Sequence, residues 1–126
     1  MGFFDSLRQA SSESPGRVMK IFLKSAIPEI ALMNNSTRGD VLRKFCEKRE
    51  GLLSELSNMT IEGVLKTSKN FTVAGNRLKK TAPVEGYPLL LTGLWLESRY
   101  RPGPDAAEVQ SYLDELAQQQ GGSVSI

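Results

Sequence analysis

The chain has 126 residues, 40% of them hydrophobic and 24% charged, which suits one packed domain and argues against disorder. With no histidine and a single cysteine, Cys46, it excludes an internal disulfide and lacks the commonest general base and metal ligand. The net charge of +2 hides an asymmetry: residues 1–101 carry +6, whereas residues 102–126 have no base and carry −4.

The chain opens with Met-Gly-Phe-Phe-Asp-Ser. Gly2 and Ser6 fit the loose pattern for N-myristoylation, but Phe3 is a poor neighbour for the acceptor glycine. Phe3, Phe4 and Leu7 with Arg8 could also lie on a membrane surface, although one base in so short a segment is weak for that purpose. Docking of Phe3, Phe4 and Leu7 on the core or on a second chain explains them more simply. Residues 1–14 are therefore a lead-in to the domain, ending in the polar break Ser11, Ser12, Ser14 and Pro15.

Ser14 before Pro15 is a helix-start signal. The helix that follows is expected to present Val18, Ile21, Phe22 and Ser25, with Met19, Leu23 and Ala26 beside them. Pro28 predicts a kink or a new turn near Ile27, and Asn34 and Asn35 a stop. Thr37 and Asp40 have the spacing of a capping box. Val41, Leu42, Phe45, Arg49, Leu52, Leu53 and Leu56 then recur at three- and four-residue intervals, the mark of an amphipathic helix of about five turns. Cys46 lies at the edge of that apolar face, where a small buried thiol is the ordinary expectation.

Thr60 is placed to cap a further helix. Residues 68–82 read two ways, as a helix joining Val64, Leu65, Ser68, Phe71, Gly75 and Leu78, or as a short hairpin around Gly75 and Asn76. The helix is the better partner for a set of helices. Ala82–Pro88 reads as a loop. The apolar run from Pro88 to Tyr100 predicts a central buried helix around Trp95, with two strands broken at Thr92 and Gly93 as the alternative. After the breaker at residues 101–104, Asp105 and Glu108 resemble a second capping box. A last helix carries Ala106, Val109, Leu113 and Leu116 on one face and ends near Gln120, before a flexible tail at 121–126.

The expected fold is mainly α: an irregular bundle of four to six short helices over residues 15–120, with a small β-hairpin at 69–80 as the variant. Three sets of residues could carry function. Lys66, Lys69, Arg77, Lys79 and Lys80, with Phe71 among them, form a run free of acid from Gly63 to Val84. Such a run is either a solvated face or a surface that neutralises phosphates. Tyr87, Trp95 and Tyr100 with Arg99 and Arg101 could line a groove for a peptide or a base, unless the aromatics are core. Phe3, Phe4 and Leu7 are the candidates for partner contact or self-association.

No Cys–His pair, phosphate loop or metal motif occurs, and three Asn-X-Thr matches, at Asn35, Asn58 and Asn70, and Arg38-Gly39-Asp40 read as chance in a chain of this kind. The expectation is a cytoplasmic, non-enzymatic interaction protein without a cofactor. It would be an adaptor, regulator or accessory factor that binds a protein partner or forms homo-oligomers. Nucleic-acid binding through 66–80 and peripheral membrane attachment through the N-terminal segment are the alternatives. Opposite charge at the two ends of the chain is the ground for self-association.

Overall fold

A computed structural model describes the backbone of residues 15–100 and 103–125 and the side chains of 17–100 and 103–118. Among the described residues there are five α-helices: α1 (Pro15–Ala31), α2 (Asn35–Glu55), α3 (Ile61–Leu78), α4 (Pro83–Tyr100) and α5 (Pro104–Ser125), with a 3₁₀ turn at Leu56–Asn58. Phe3, Phe4, Leu7 and Arg101 lie outside the described residues. The fold is all helical; no strand occurs among the described residues, so the hairpin at 69–80 is corrected to helix.

Helix α4 is the centre. Leu90, Leu91, Leu94, Trp95 and Leu96 are all at most 2% exposed, and α1, α2, α3 and α5 each pack on it. Fully burying one such apolar side chain is worth about 1.5–3 kcal/mol, so this helix supplies the largest single share of the core. The helix also starts earlier than the sequence suggested. Pro83 opens it, Gly86 N–H donates to the Ala82 carbonyl at 2.8 Å, and Pro88 sits inside it. Prolines at 83 and 88 marked a loop in the sequence. Pro83 instead occupies the first turn, where a missing N–H costs nothing. Pro88 is only about a turn and a half further in, and its carbonyl also accepts the buried Thr92 hydroxyl at 2.6 Å.

Helix α1 runs without interruption past Pro28 to Ala31, so the expected break near Ile27 is absent. Pro28 and Lys24, whose carbonyl loses its helical donor, are both exposed, so the lost bond faces solvent. Continuity changes the buried face. Met19, Leu23, Ala26 and Ile30 form the core row, whereas Ile21 is 39% exposed. The row chosen from the sequence was displaced by one residue because the expected break separated Ile30 from Ala26.

Between α1 and α2, Asn34 and not Thr37 is the cap: its side chain accepts the Thr37 N–H at 2.8 Å. Asp40 pairs instead with Arg43 at 3.0 Å. In α2, Val41, Leu42 and Phe45 are buried, Arg49 and Leu52 half-buried and Leu53 exposed; only the first half of this long helix meets the core fully. Thr60 caps α3 as expected, accepting the Gly63 N–H at 3.0 Å. Gly103 has φ +120° and leads into Pro104, where α5 begins, so Asp105 lies inside the helix and not at the cap position of the expected box. Asp105 and Glu108 face Lys20 instead. The expected α5 face holds, with Ala106, Val109 and Leu113 buried and Leu116 half-buried. The helix continues five residues beyond Gln120, to Ser125, since adding residues to an established helix is far easier than starting one.

The closest contact is between α3 and α4, which run antiparallel. A Cβ at Gly75 would lie 2.7 Å from the Gly86 carbonyl oxygen and 2.8 Å from the Leu90 Cα. One at Gly86 would lie 2.5 Å from the Lys79 Cα, and one at Gly93 would lie 2.7 Å from both the Ser68 oxygen and the Thr72 nitrogen. The two backbones therefore touch along a seam of small residues, Ser68, Thr72 and Gly75 against Gly86 and Gly93. The hydroxyls in and beside the seam bond within their own helices: Ser68 to the Leu65 carbonyl and Thr72 to the Ser68 carbonyl, both at 2.8 Å. No buried polar group in the seam then lacks a partner, and the close approach carries no desolvation penalty.

Two glycine substitutions are expected to move stability in opposite directions. Gly86→Ala forces a Cβ into the α3 backbone and should lower stability by about 1–3 kcal/mol or more. Gly51→Ala adds a Cβ with nothing within 4 Å to a helix interior and should raise stability by roughly 0.5–1 kcal/mol. Thermal or urea unfolding of the two variants measures both.

Candidate functional site

Helix α3 is held to the rest of the fold chiefly by α4, and its buried residues Val64, Ser68, Thr72 and Gly75 form one stripe along the seam. The opposite stripe consists of Lys66, Lys69, Asn70, Val73 and Arg77, all exposed and kept on one side by the helical period, with exposed Lys80 following in the turn just past the helix end. From Lys66 to Arg77 the helical part of this stripe is roughly 16 Å long at the helical rise. None of Lys66, Lys69, Arg77 and Lys80 takes part in an ion pair, a side-chain hydrogen bond or a ring contact within the described residues. Glu62 stands at the N-terminal end of the stripe, in the first turn of the helix.

Two residues that the sequence placed in this set belong elsewhere. Lys79 pairs with Glu29 of α1 at 3.2 Å and lies 5.8 Å from the Tyr87 ring centroid, with only 11% of its side chain exposed. Phe71 is half-buried and packed against the core, off the exposed stripe. Helical geometry explains both corrections: residues 71 and 79 point away from the row 66, 69, 73, 77 and 80. An extended strand would have displayed them differently, which is why the unsettled secondary structure concealed the division.

The aromatic groove does not form. Tyr87 is 5% and Trp95 2% exposed, so both are core, and Tyr100 packs half-buried against it. Arg99 lies 5.6 Å from the Trp95 ring centroid, a cation over a core aromatic and not one wall of a cleft. Burial first, then the nearby Glu29 carboxylate, pushes the Tyr87 phenol up to about 12. Tyr87, Glu29 and Lys79 thus join the end of α1, the end of α3 and the start of α4.

Three of the four acids of α5, Asp105, Glu108 and Asp114, are engaged within the fold. Lys20 of α1 pairs with Glu108 at 2.8 Å and Asp105 at 3.3 Å, and these hydrogen bonds raise its pKa. Asp114 pairs at 3.3 Å with Arg49 of α2, whose guanidinium lies 6.0 Å from the Phe45 ring centroid. Across the front of α2 and α4, the Lys44 ammonium bonds Glu85 and holds its carboxyl below the ordinary value. The charge opposition that suggested self-association is therefore largely closed between α5 and its neighbours within one chain.

Between α1 and α5 lies a recess of about 190 Å³ lined by Lys20, Leu23, Lys24, Ile27, Glu108 and Tyr112, large enough for a single side chain. Cys46 is half-buried, its thiol directed at the Ala117 carbonyl at 3.7 Å. Burial raises its pKa, opposite to the shift that makes a cysteine reactive. Among the described residues no group of three or more His, Cys, Asp or Glu is placed to hold a metal ion. Nor is any helix there long and apolar enough to cross a membrane.

The unpaired basic stripe on α3 is thus what the fold presents. No protein-family model, curated protein or solved structure matches this chain. The stripe must be read from its own chemistry.

The Tyr87 environment sets a pH test. An unfolded tyrosine ionises near its model value of 10.0, whereas the folded one holds its proton to about 12. Its contribution is therefore fully present below pH 10 and lost as the pH rises towards 12. Tyr87→Phe is expected to flatten the fall in stability over that window, measured by urea unfolding at successive pH values. The wild type should show a phenolate absorbance step near pH 12 that the variant lacks.

Proposed function

We propose that this chain is a small helical interaction protein that works by contact and not by chemistry, and that its contact surface is the outward face of α3, which receives an anionic partner. The observation that carries this reading is the row Lys66, Lys69, Arg77 and Lys80, exposed and outside every ion pair among the described residues. Elsewhere the fold neutralises many of its bases: Lys20, Arg43, Lys44, Arg49 and Lys79 all have carboxylate partners. The helix dipole gives a reason for Arg77 in the last turn, but its effect fades within one turn of the end and gives none for Lys66 and Lys69. A cytoplasmic setting is part of the proposal, supported by the free thiol of Cys46.

Heparin chromatography with two charge-matched variants tests the reading. Lys66, Lys69 and Lys80 changed together to Gln remove three charges from the stripe. Arg17, Lys24 and Lys48, also exposed, changed together to Gln remove three from other surfaces. Only the first variant is expected to elute at markedly lower salt. Equal shifts for the two would mean that net charge alone is being read and would defeat the proposal.

A further inference from the structure

Resting on that reading, we infer that the anionic partner is a B-form DNA duplex, with α3 lying in its major groove. In this arrangement Lys66 and Lys69 meet the phosphates of one strand, Arg77 and Lys80 those of the other. Asn70 and Val73 face the base edges between them.

Three observations select a duplex from among polyanions. The first is access. α3 is fastened along one side only, to α4, through a seam in which the backbones touch, so its opposite side projects from the body of the fold. A helix with its side chains is about 10–12 Å across, and the major groove is about 12 Å wide. The second is the order of side chains along the stripe. Two pairs of bases, Lys66 with Lys69 and Arg77 with Lys80 just past the helix end, flank a neutral middle of Asn70 and Val73, the latter 48% exposed. An amide can bond an adenine edge and a branched aliphatic can meet a thymine methyl, while the flanking cations hold the backbone. An acidic protein partner would gain nothing from this neutral gap. The third concerns single strands, which proteins hold largely by stacking bases on aromatic rings. Phe71, the aromatic nearest the stripe in sequence, is turned against the core.

This is not a helix-turn-helix. α2 and α3 follow one another through the 3₁₀ turn, yet they share no extensive contact, so α2 does not support α3 on the DNA. The supporting helix is α4, behind it.

Fluorescence anisotropy with the full chain provides the test, using a labelled 20-base-pair mixed-sequence DNA duplex, its single strands, an RNA duplex of the same sequence and a polyglutamate peptide. Four phosphate contacts give a logarithmic salt slope of about −3.6, so duplex affinity should fall about 150-fold between 50 and 200 mM salt. Lys66→Gln with Lys80→Gln should halve the slope, and Val73→Glu should abolish binding, with circular dichroism confirming that each variant keeps its helices. Weaker binding of the RNA duplex, whose major groove is too narrow to admit a helix, is also expected. Single strands binding as tightly as the duplex, or a duplex affinity indifferent to the α3 substitutions, would overturn the inference. Binding of polyglutamate without binding of DNA would overturn it while leaving the anionic contact surface standing. Binding of none of the probes would overturn both.

Discussion

The fold depends on how closely α3 and α4 can approach. At Gly75, Gly86 and Gly93 there is no room for a Cβ, and the only residue that fits is the one without it. Seating α3 this deeply fixes its rotation about its own axis. Val64, Ser68, Thr72 and Gly75 turn inward, and residues 66, 69, 73, 77 and 80 are left on the far side. A helix docked through larger side chains could turn by a residue at modest cost. One docked backbone to backbone resists this, because a turn that moves a neighbour into the place of Gly75 sets a Cβ where the Gly86 carbonyl and Leu90 leave no room. The position of the basic stripe is thus a consequence of the seam.

Charge is distributed in keeping with that arrangement. The acids of α5 draw Lys20 and Arg49 against it, while Glu29 and Glu85 engage Lys79 and Lys44. Most of these pairs are partly open to water, and exposed pairs contribute little to stability. Their effect here is on what the surface shows: these four bases of α1, α2 and the α3–α4 turn lose their availability to a partner, and the outward face of α3 keeps its own. A net charge of +2 gives no hint of this, since it sums paired and unpaired groups over the whole chain.

Much of the architecture was legible in the sequence, and the losses have physical causes. The helical class, the amphipathic α2 and the burial of Trp95 followed from apolar spacing and from a run too apolar to face water. The Thr60 cap followed from residue chemistry. Pro28 and Pro83–Pro88 misled because proline near a helix start, or with its lost bond facing solvent, is tolerated where proline deeper in a buried helix is not. Residues 68–82 were ambiguous because Gly75 signals a turn when read locally, and only the partner helix shows it to be a packing contact. The candidate site was legible as a set of bases. Which of them belong together required the helix and its rotation, and these separated Lys79 and Phe71 from the rest. The aromatic groove failed for a related reason: Tyr87 and Trp95 lie on a helix surrounded by four others, so neither has a solvent side.

The central claim is that α3 and α4 meet backbone to backbone at their glycines, and proton–proton contacts in solution test it most directly. In a nuclear Overhauser spectrum of the labelled chain, the α-protons of Gly75 are predicted to show strong cross-peaks to the Leu90 α-proton. Those of Gly86 should show them to the Lys79 α-proton. Glycine α-protons that see only their own helix would contradict the seam, and with it the placement of the basic face.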